Sequence, residues 1–115
     1  METTCIRVYD YVPSTAGAAV LVDRLWPRGV TKESLGEFVW LKELAPSDAL
    51  RKWFHEDTEK RYEEFAQKYL AELTDRNDEI PALLADFQQP LTLLTAVKDI
   101  EHSHIPTLTK YLEGR

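Results

Sequence analysis

A chain of 115 residues with 43% hydrophobic residues and a formal charge of −6 is typical of a single soluble globular domain, here residues 1–115. No apolar run approaches the ~18 residues that a membrane helix needs, and the N terminus lacks the basic and apolar regions of a secretory signal. We therefore expect a cytoplasmic protein without a membrane partner. The acidic balance also disfavours nucleic acid as a partner, because such binding depends on clustered cations.

The N-terminal part of the chain predicts two strands. Residues 4–10, TCIRVYD, alternate in polarity, and Cys5 in this alternation indicates a small hydrophobic residue rather than a catalytic thiol. As the only cysteine, it excludes an internal disulfide and fits a reducing compartment. The apolar run AAVLVD, residues 18–23, predicts a strand buried on both faces. The loop at 11–17 is too short for a crossover helix, so the two strands either form a hairpin or are not direct neighbours.

The next part of the chain predicts a mixture of short elements. Residues 31–37 indicate a short helix with Thr31 as its candidate cap, and residues 37–44 indicate a third short strand. Residues 47–54, SDALRKWF, predict a helix that Ser47 opens as N-cap.

The clearest periodicity belongs to residues 57–76, where apolar residues recur at helical spacing after an Asp57 cap. The many acidic residues of this segment are expected on its solvated face, and a docking surface for a basic partner is the alternative. A further helix is expected from Ile80 to Phe87, with Asn77 or Asp78 as its cap.

The end of the chain predicts a strand and a helix. Residues 91–97, LTLLTAV, form an apolar strand, and a helix is expected from Ser103 to Leu112, with Ser103 as N-cap and Pro106 at the third helical position. The 67 residues from Arg24 to Pro90 are ample for a crossover, and continuous apolar runs favour parallel pairing. The sequence therefore predicts an α/β fold, a single layered domain in which helices flank a small, mainly parallel sheet of three to four strands.

Charged residues follow both buried strands. Asp23 and Arg24 end one strand, and Lys98 and Asp99 end the other. If the strands are parallel, both pairs meet at one edge of the sheet, together with the segments LWPRG and IEHSHIP. We expect this edge to combine cationic side chains with the open N–H groups at the start of the last helix, a combination that attracts anions.

The sequence therefore predicts a pocket for a small anionic molecule that bears phosphate or carboxylate. The candidate catalytic residues are Asp23, Asp99, His102 and His104, and the candidate ligand-binding residues are Arg24, Trp26, Arg28, Lys98 and Ser103. An ion pair of Arg24 with Asp23 or Asp99, and a core-covering role for Trp26, are the alternative interpretations. The histidines have no third ligand at a defined spacing, so no metal site is predicted, and the sequence implies no cofactor.

Five blocks of the sequence resemble the YeaO-like bacterial proteins, in the same order and over nearly the whole chain. These blocks are VLVDRLWPRG, WLKELAPS, LRKWFHED, LLTAVKD and EHSHIPTLTKYL. The resemblance implies a small cytosolic α/β domain and brings no established reaction. The chain departs from the family pattern at Thr95, where the family has tyrosine, and at Ser103, where asparagine is usual. If the tyrosine lines the pocket, this chain will prefer a different ligand.

Two functional hypotheses follow. The first is an enzyme that acts on a phosphorylated or otherwise anionic metabolite, such as a nucleotide, with the cations holding the anion and the histidines and aspartates acting as acid, base or orienting groups. The second is a non-enzymatic module that senses such a ligand or docks on a partner through Trp26, Trp40 and Trp53. The sequence leaves open the reaction, the substrate and the oligomeric state.

Overall fold

A parallel sheet forms the centre of the structure, a computed structural model that describes residues 1–13, 17–33 and 38–114. Its four strands in the described residues have the spatial order β1-β4-β2-β3, and every neighbouring pair is parallel. The strands are β1 (Thr3–Arg7), β2 (Ala18–Leu21), β3 (Val39–Trp40) and β4 (Leu91–Thr95). The predicted α/β class with a small parallel sheet is confirmed.

The last strand of the chain lies between the first two. Leu93 of β4 is opposite Cys5 of β1 on one side and Val20 of β2 on the other. The sequence allows two arrangements of β1 and β2, a hairpin or strands that are not direct neighbours. The structure has the second arrangement, with β4 between them. Leu21 and Leu94 pair in the next row and are fully buried, which explains why β2 and β4 are continuously apolar.

The helices cover one face of the sheet. They are α1 (Asp48–His55), α2 (Thr58–Asp75), α3 (Ile80–Leu84) and α4 (Ile105–Glu113), and short 3₁₀ turns occupy Val8–Asp10, Lys42–Leu44 and Ile100–His102. Val20 and Leu93 point into the large core that these helices form. Ala19, Leu21 and Leu94 point into a smaller core on the opposite face, where Phe38 and the partly buried rings of Trp26 and Trp40 cover them. None of the helices in the described ranges combines the length and apolar character needed to cross a membrane.

Two helix starts agree with the sequence. The Ser47 hydroxyl accepts a hydrogen bond from the Leu50 amide at 3.2 Å, and the Asp57 carboxylate accepts one from the Lys60 amide at 3.3 Å. Ser47 also donates from its amide and its hydroxyl to the Glu72 carboxylate, at 2.8 and 2.6 Å. These bonds attach the start of α1 to α2 in addition to capping α1.

Two other helix starts differ from the prediction. Neither Asn77 nor Asp78 caps α3, because its N-cap is Glu79 and no side chain caps it. The amides of Glu79 and Ile80 instead donate to the Arg76 carbonyl, in the turn after α2. The helix ends at Leu84, short of the predicted Phe87.

The last helix begins one residue later than the predicted Ser103 cap implies, and a 3₁₀ turn over Ile100–His102 precedes it. His104 is the N-cap, and Pro106 is the second helical residue rather than the third. Ser103 still contributes, since its hydroxyl accepts the Ile105 amide at 3.1 Å.

All four predicted strands are shorter than expected. The strand at 4–10 ends at Arg7, where the 3₁₀ turn Val8–Asp10 follows, and the strand at 18–23 ends at Leu21. The strand at 91–97 ends at Thr95, and within 37–44 only Val39–Trp40 is extended before a 3₁₀ turn. Most of the predicted helix at 31–37 falls on residues 34–37, outside the described residues.

Substitution of two glycines tests how closely the start of β2 approaches Pro90, the residue before β4. Gly17 and Gly29 have positive φ angles of 82° and 78°. A Cβ at Gly17 would lie 2.0 Å from the Pro90 carbonyl oxygen, whereas one at Gly29 would meet no described atom within 4 Å. We expect Gly29→Ala to lower the free energy of unfolding by about 1–2 kcal/mol from backbone strain. Gly17→Ala should lower it by about 3 kcal/mol or more because the backbone must also separate.

Urea denaturation of both variants measures this difference. Equal losses of unfolding free energy would contradict the close approach of Gly17 to Pro90.

The Cys5 thiol is the second test of the fold. Its partial burial, together with the negative charge of Asp23, raises the pKa of Cys5 to about 11. We expect alkylation by iodoacetamide at pH 8 to be about two orders of magnitude slower in the native protein than in urea, because a free thiol ionises near 8.5. The native rate should rise about tenfold per pH unit up to about pH 11, whereas the rate in urea should level off above about pH 8.5. Equal native and unfolded rates at pH 8 would show that the thiol is not shielded.

Candidate functional site

A cleft of about 990 Å³ lies at the carboxyl edge of the sheet. Its walls come from the segments that follow β1, β2 and β4 and from α1 and the start of α2. Parallel strands explain this, because their carboxyl ends share one edge. All nine candidate site residues line the cleft: Asp23, Arg24, Trp26, Arg28, Lys98, Asp99, His102, Ser103 and His104.

Asp23 is the centre of a largely buried hydrogen-bond network. Its carboxylate accepts the Thr95 hydroxyl and the Ala96 amide, each at 2.7 Å. His104 Nε2 lies 3.3 Å from the carboxylate and 3.0 Å from the Val22 carbonyl oxygen. Because a carbonyl only accepts, Nε2 carries a proton and donates. The network joins the ends of β2 and β4 to the start of α4.

Thr95, one of the two departures from the YeaO-like pattern, belongs to this network. It is fully buried, its hydroxyl donates to Asp23, and it is not part of the cleft wall. In this chain, residue 95 therefore acts on the cleft through the position of Asp23.

A second aspartate–histidine pair is exposed. His102 Nδ1 lies 2.9 Å from the Asp99 carboxylate, and the two side chains are 64% and 67% exposed. The His102 ring packs edge-on against Tyr62, at 5.5 Å between centroids. Burial, and secondarily the negative charge of Asp99, raises the pKa of Tyr62, whose hydroxyl donates to the Glu101 carbonyl at 3.0 Å. Such a pair can exchange a proton with a molecule in the cleft.

Ser103 and the start of α4 are occupied by local bonds. The Ser103 hydroxyl donates to the Ile100 carbonyl at 2.7 Å and accepts the Ile105 amide at 3.1 Å. Pro106, the next residue, has no N–H. The expectation of open N–H groups is therefore wrong for the first two positions of this helix.

Arg24 is held by backbone carbonyls. Its Nε donates to the Pro46 carbonyl at 3.1 Å and its Nη2 to the Ala45 carbonyl at 3.5 Å. Neither ion pair that the sequence suggested forms, since Asp23 pairs with His104 and Asp99 with His102. The guanidinium group is thereby fixed at the cleft, with Nη1 making no hydrogen bond to the described part of the protein.

The other cationic residues of the predicted set are exposed. Arg28 and Lys98 both line the cleft, and within residues 1–13, 17–33 and 38–114 neither forms a hydrogen bond or an ion pair. No group of three or more His, Cys, Asp or Glu residues in these same ranges is arranged to hold a metal ion.

Trp26 is a fixed wall of the cleft. Its indole N–H donates to the Val30 carbonyl at 2.7 Å. The ring stacks on Phe38 at 5.9 Å and meets Trp40 edge-on at 5.3 Å. The ring therefore covers the smaller core while also lining the cleft.

The sequence did not identify several cleft residues, among them Tyr9, Leu25, Arg51 and Tyr62. Arg51 pairs with Asp48 at 2.8 Å, and its buried Nε has no hydrogen-bond partner in the described residues. Tyr9 lies in the turn that follows β1, so its place at the cleft would have been predicted if β1 had been assigned as a parallel neighbour of β4.

The two aspartate–histidine pairs form a matched test of the network. We expect Asp23→Ala to lower the free energy of unfolding by about 3 kcal/mol or more, because it leaves the Thr95 hydroxyl and the Ala96 amide without an acceptor. Asp99→Ala should lower it by less than about 1 kcal/mol, as is usual for an exposed pair. Urea denaturation of both variants measures the difference. A comparable loss for the two variants would refute the structural role of Asp23.

Comparison with known proteins identifies the family. Residues 2–115 match the family model described as "Inactive DUF488-N3 subclade". The chain is 43% identical to the uncharacterized protein YeaO of Escherichia coli over 99% of both chains. It is 38% identical to the uncharacterized proteins Mb3100c of Mycobacterium bovis and Rv3073c of Mycobacterium tuberculosis, over 95% of this chain and 92% of each relative. No solved structure matches it significantly. The chain therefore belongs to the YeaO-like family of bacterial domains, within the group described as the inactive DUF488-N3 subclade.

Proposed function

We propose that this domain is a cytosolic binding protein for a small anionic ligand, and that the ligand occupies the cleft at the carboxyl edge of the sheet. The observation that carries the proposal is that three cationic side chains at the cleft have no acidic partner among the described residues. Arg24, Arg28 and Lys98 border one cleft, and no described carboxylate pairs with any of them, although the chain has a net charge of −6. In such a protein, unpaired cations around a cavity favour a ligand that supplies the missing negative charge.

The acidic residues of the cleft wall do not fill this role. The Asp23 carboxylate is shared among Thr95, Ala96 and His104, and Asp99 pairs with His102. Glu59 remains as an exposed acid on the wall, at the start of α2. A phosphate or carboxylate in the cleft would therefore meet Arg28, Lys98 and the free side of the Arg24 guanidinium.

Two observations support binding without turnover. Asp23, His104 and Ser103 use their polar atoms to hold β2, β4 and α4 together, so a reaction at these groups would require the edge of the sheet to open. The family description also includes the word "Inactive". Binding by a preformed cleft needs no such opening.

A catalytic function is the second candidate, and one pair of residues favours it. The exposed His102 has Nδ1 bound to Asp99, and its Nε2 makes no hydrogen bond within the described residues. A histidine oriented in this way can act as a general base toward a bound ligand. The reaction would then depend on His102 and Asp99 rather than on the buried pair.

Calorimetric titration with inorganic phosphate and pyrophosphate tests the proposed site. We expect binding by the native protein, and we expect Arg28→Gln and Lys98→Gln each to weaken it about tenfold, as the loss of one charge-assisted hydrogen bond predicts. Lys110→Gln is the matched control. It removes the same charge from an exposed position in the last turn of α4, roughly 10 Å along the helix from the cleft.

Absence of phosphate and pyrophosphate binding, or equal weakening by Lys110→Gln, would contradict the proposed site. The catalytic alternative is separated from binding by incubating the protein with phosphorylated metabolites. Turnover that His102→Ala abolishes, with ligand binding retained, would establish the enzyme and overturn binding without turnover.

A further inference from the structure

Tyr9 is a cleft residue that the proposed anion site does not use. It lies in the 3₁₀ turn that follows β1, lines the cleft, and is 47% exposed. An aromatic side chain with this exposure needs no place in the core, so its contacts decide what it does.

Arg7 holds the Tyr9 ring from one side. The guanidinium carbon of Arg7 lies 5.1 Å from the ring centroid. The same guanidinium donates to the Val97 carbonyl at 3.1 Å and to the Ala96 carbonyl at 3.3 Å. Arg7 is thereby attached to the end of β4, and through the cation–π contact it restrains a ring that is otherwise half in solvent.

The ring is adjacent to the proposed anion site. The two carbonyls that hold Arg7 belong to the residues immediately before Lys98, so Tyr9 and Lys98 lie on the same side of the cleft. Leu25, which is 58% exposed and directly follows Arg24, lines the same cleft. The cleft therefore offers an exposed ring, Tyr9, on the side of Lys98 and an exposed apolar side chain, Leu25, next to Arg24.

We infer that the ligand carries an aromatic ring in addition to its anionic group, in the manner of a nucleoside monophosphate. In this arrangement the base stacks on Tyr9 while Arg28 and Lys98 bind the phosphate. The inference rests on the proposed function and extends it from the anion to the rest of the ligand. The cleft volume of about 990 Å³ agrees, because it is in the range of organic-ligand pockets and far exceeds what inorganic phosphate fills.

Calorimetric titration with inorganic phosphate, the four nucleoside monophosphates and the four nucleosides tests this inference. We expect at least one monophosphate to bind ten times more tightly than both phosphate and its own nucleoside. Tyr9→Ala should weaken the binding of that monophosphate about tenfold, as loss of base stacking does, and leave the binding of inorganic phosphate unchanged. Tyr9→Phe should retain the affinity because it keeps the ring. Leu70→Ala is the control, since Leu70 is exposed to a similar degree, 45%, on α2 outside the cleft.

Saturation-transfer NMR on the native protein gives a second measurement that does not depend on any variant folding. We expect the base protons of the bound monophosphate to receive more saturation than its ribose protons. The inference is overturned if no monophosphate binds more tightly than phosphate, if Tyr9→Ala weakens phosphate and monophosphate equally, or if the base protons receive no saturation. In each of these outcomes, phosphate binding that depends on Arg28 would leave the proposed anion site standing, so the two failures are distinguishable.

Discussion

Strands β2 and β4 lie side by side and run in the same direction, with Val20 opposite Leu93 and Leu21 opposite Leu94. The ladder continues beyond the strand, where the Val22 amide donates to the Leu94 carbonyl at 3.0 Å. Because both strands point toward one edge, the segments that follow them have to meet there. The cleft, its cations and both aspartate–histidine pairs depend on this single constraint. An antiparallel pairing would have placed residues 24–28 and 96–104 at opposite ends of the sheet.

Two chemically similar pairs have different physical roles because their surroundings differ. His104 is buried and the Asp23 side chain is only 13% exposed, and the bonds that they make connect elements of the fold. Asp99 and His102 are mostly exposed and belong to one short turn. A buried charge needs several partners to offset its lost hydration, and these partners restrict its chemistry. The residues most suggestive of catalysis in the sequence are therefore divided between a structural network and an accessible pair.

Much of the fold could be predicted from local pattern. The continuous apolar runs of β2 and β4 indicated parallel strands, and Ser47 and Asp57 marked the starts of α1 and α2 through capping chemistry. The position of β1 could not be predicted in the same way, because a short loop is compatible both with a hairpin and with strands separated by β4. Tyr9 was consequently missed. The start of α4 was misplaced because Ser103 has the residue type of an N-cap and does accept the Ile105 amide, whereas the actual N-cap, His104, makes no capping bond with its side chain.

We propose that the unpaired cations around the cleft of this acidic domain bind an anion. A backbone-amide NMR titration with inorganic phosphate tests this most directly, because it locates binding as well as detecting it. We expect saturable shifts in the amides of residues 24–26, 28 and 96–99, with none in the last turn of α4 at residues 110–113. Shifts absent from the cleft, or concentrated at the far end of α4, would contradict it.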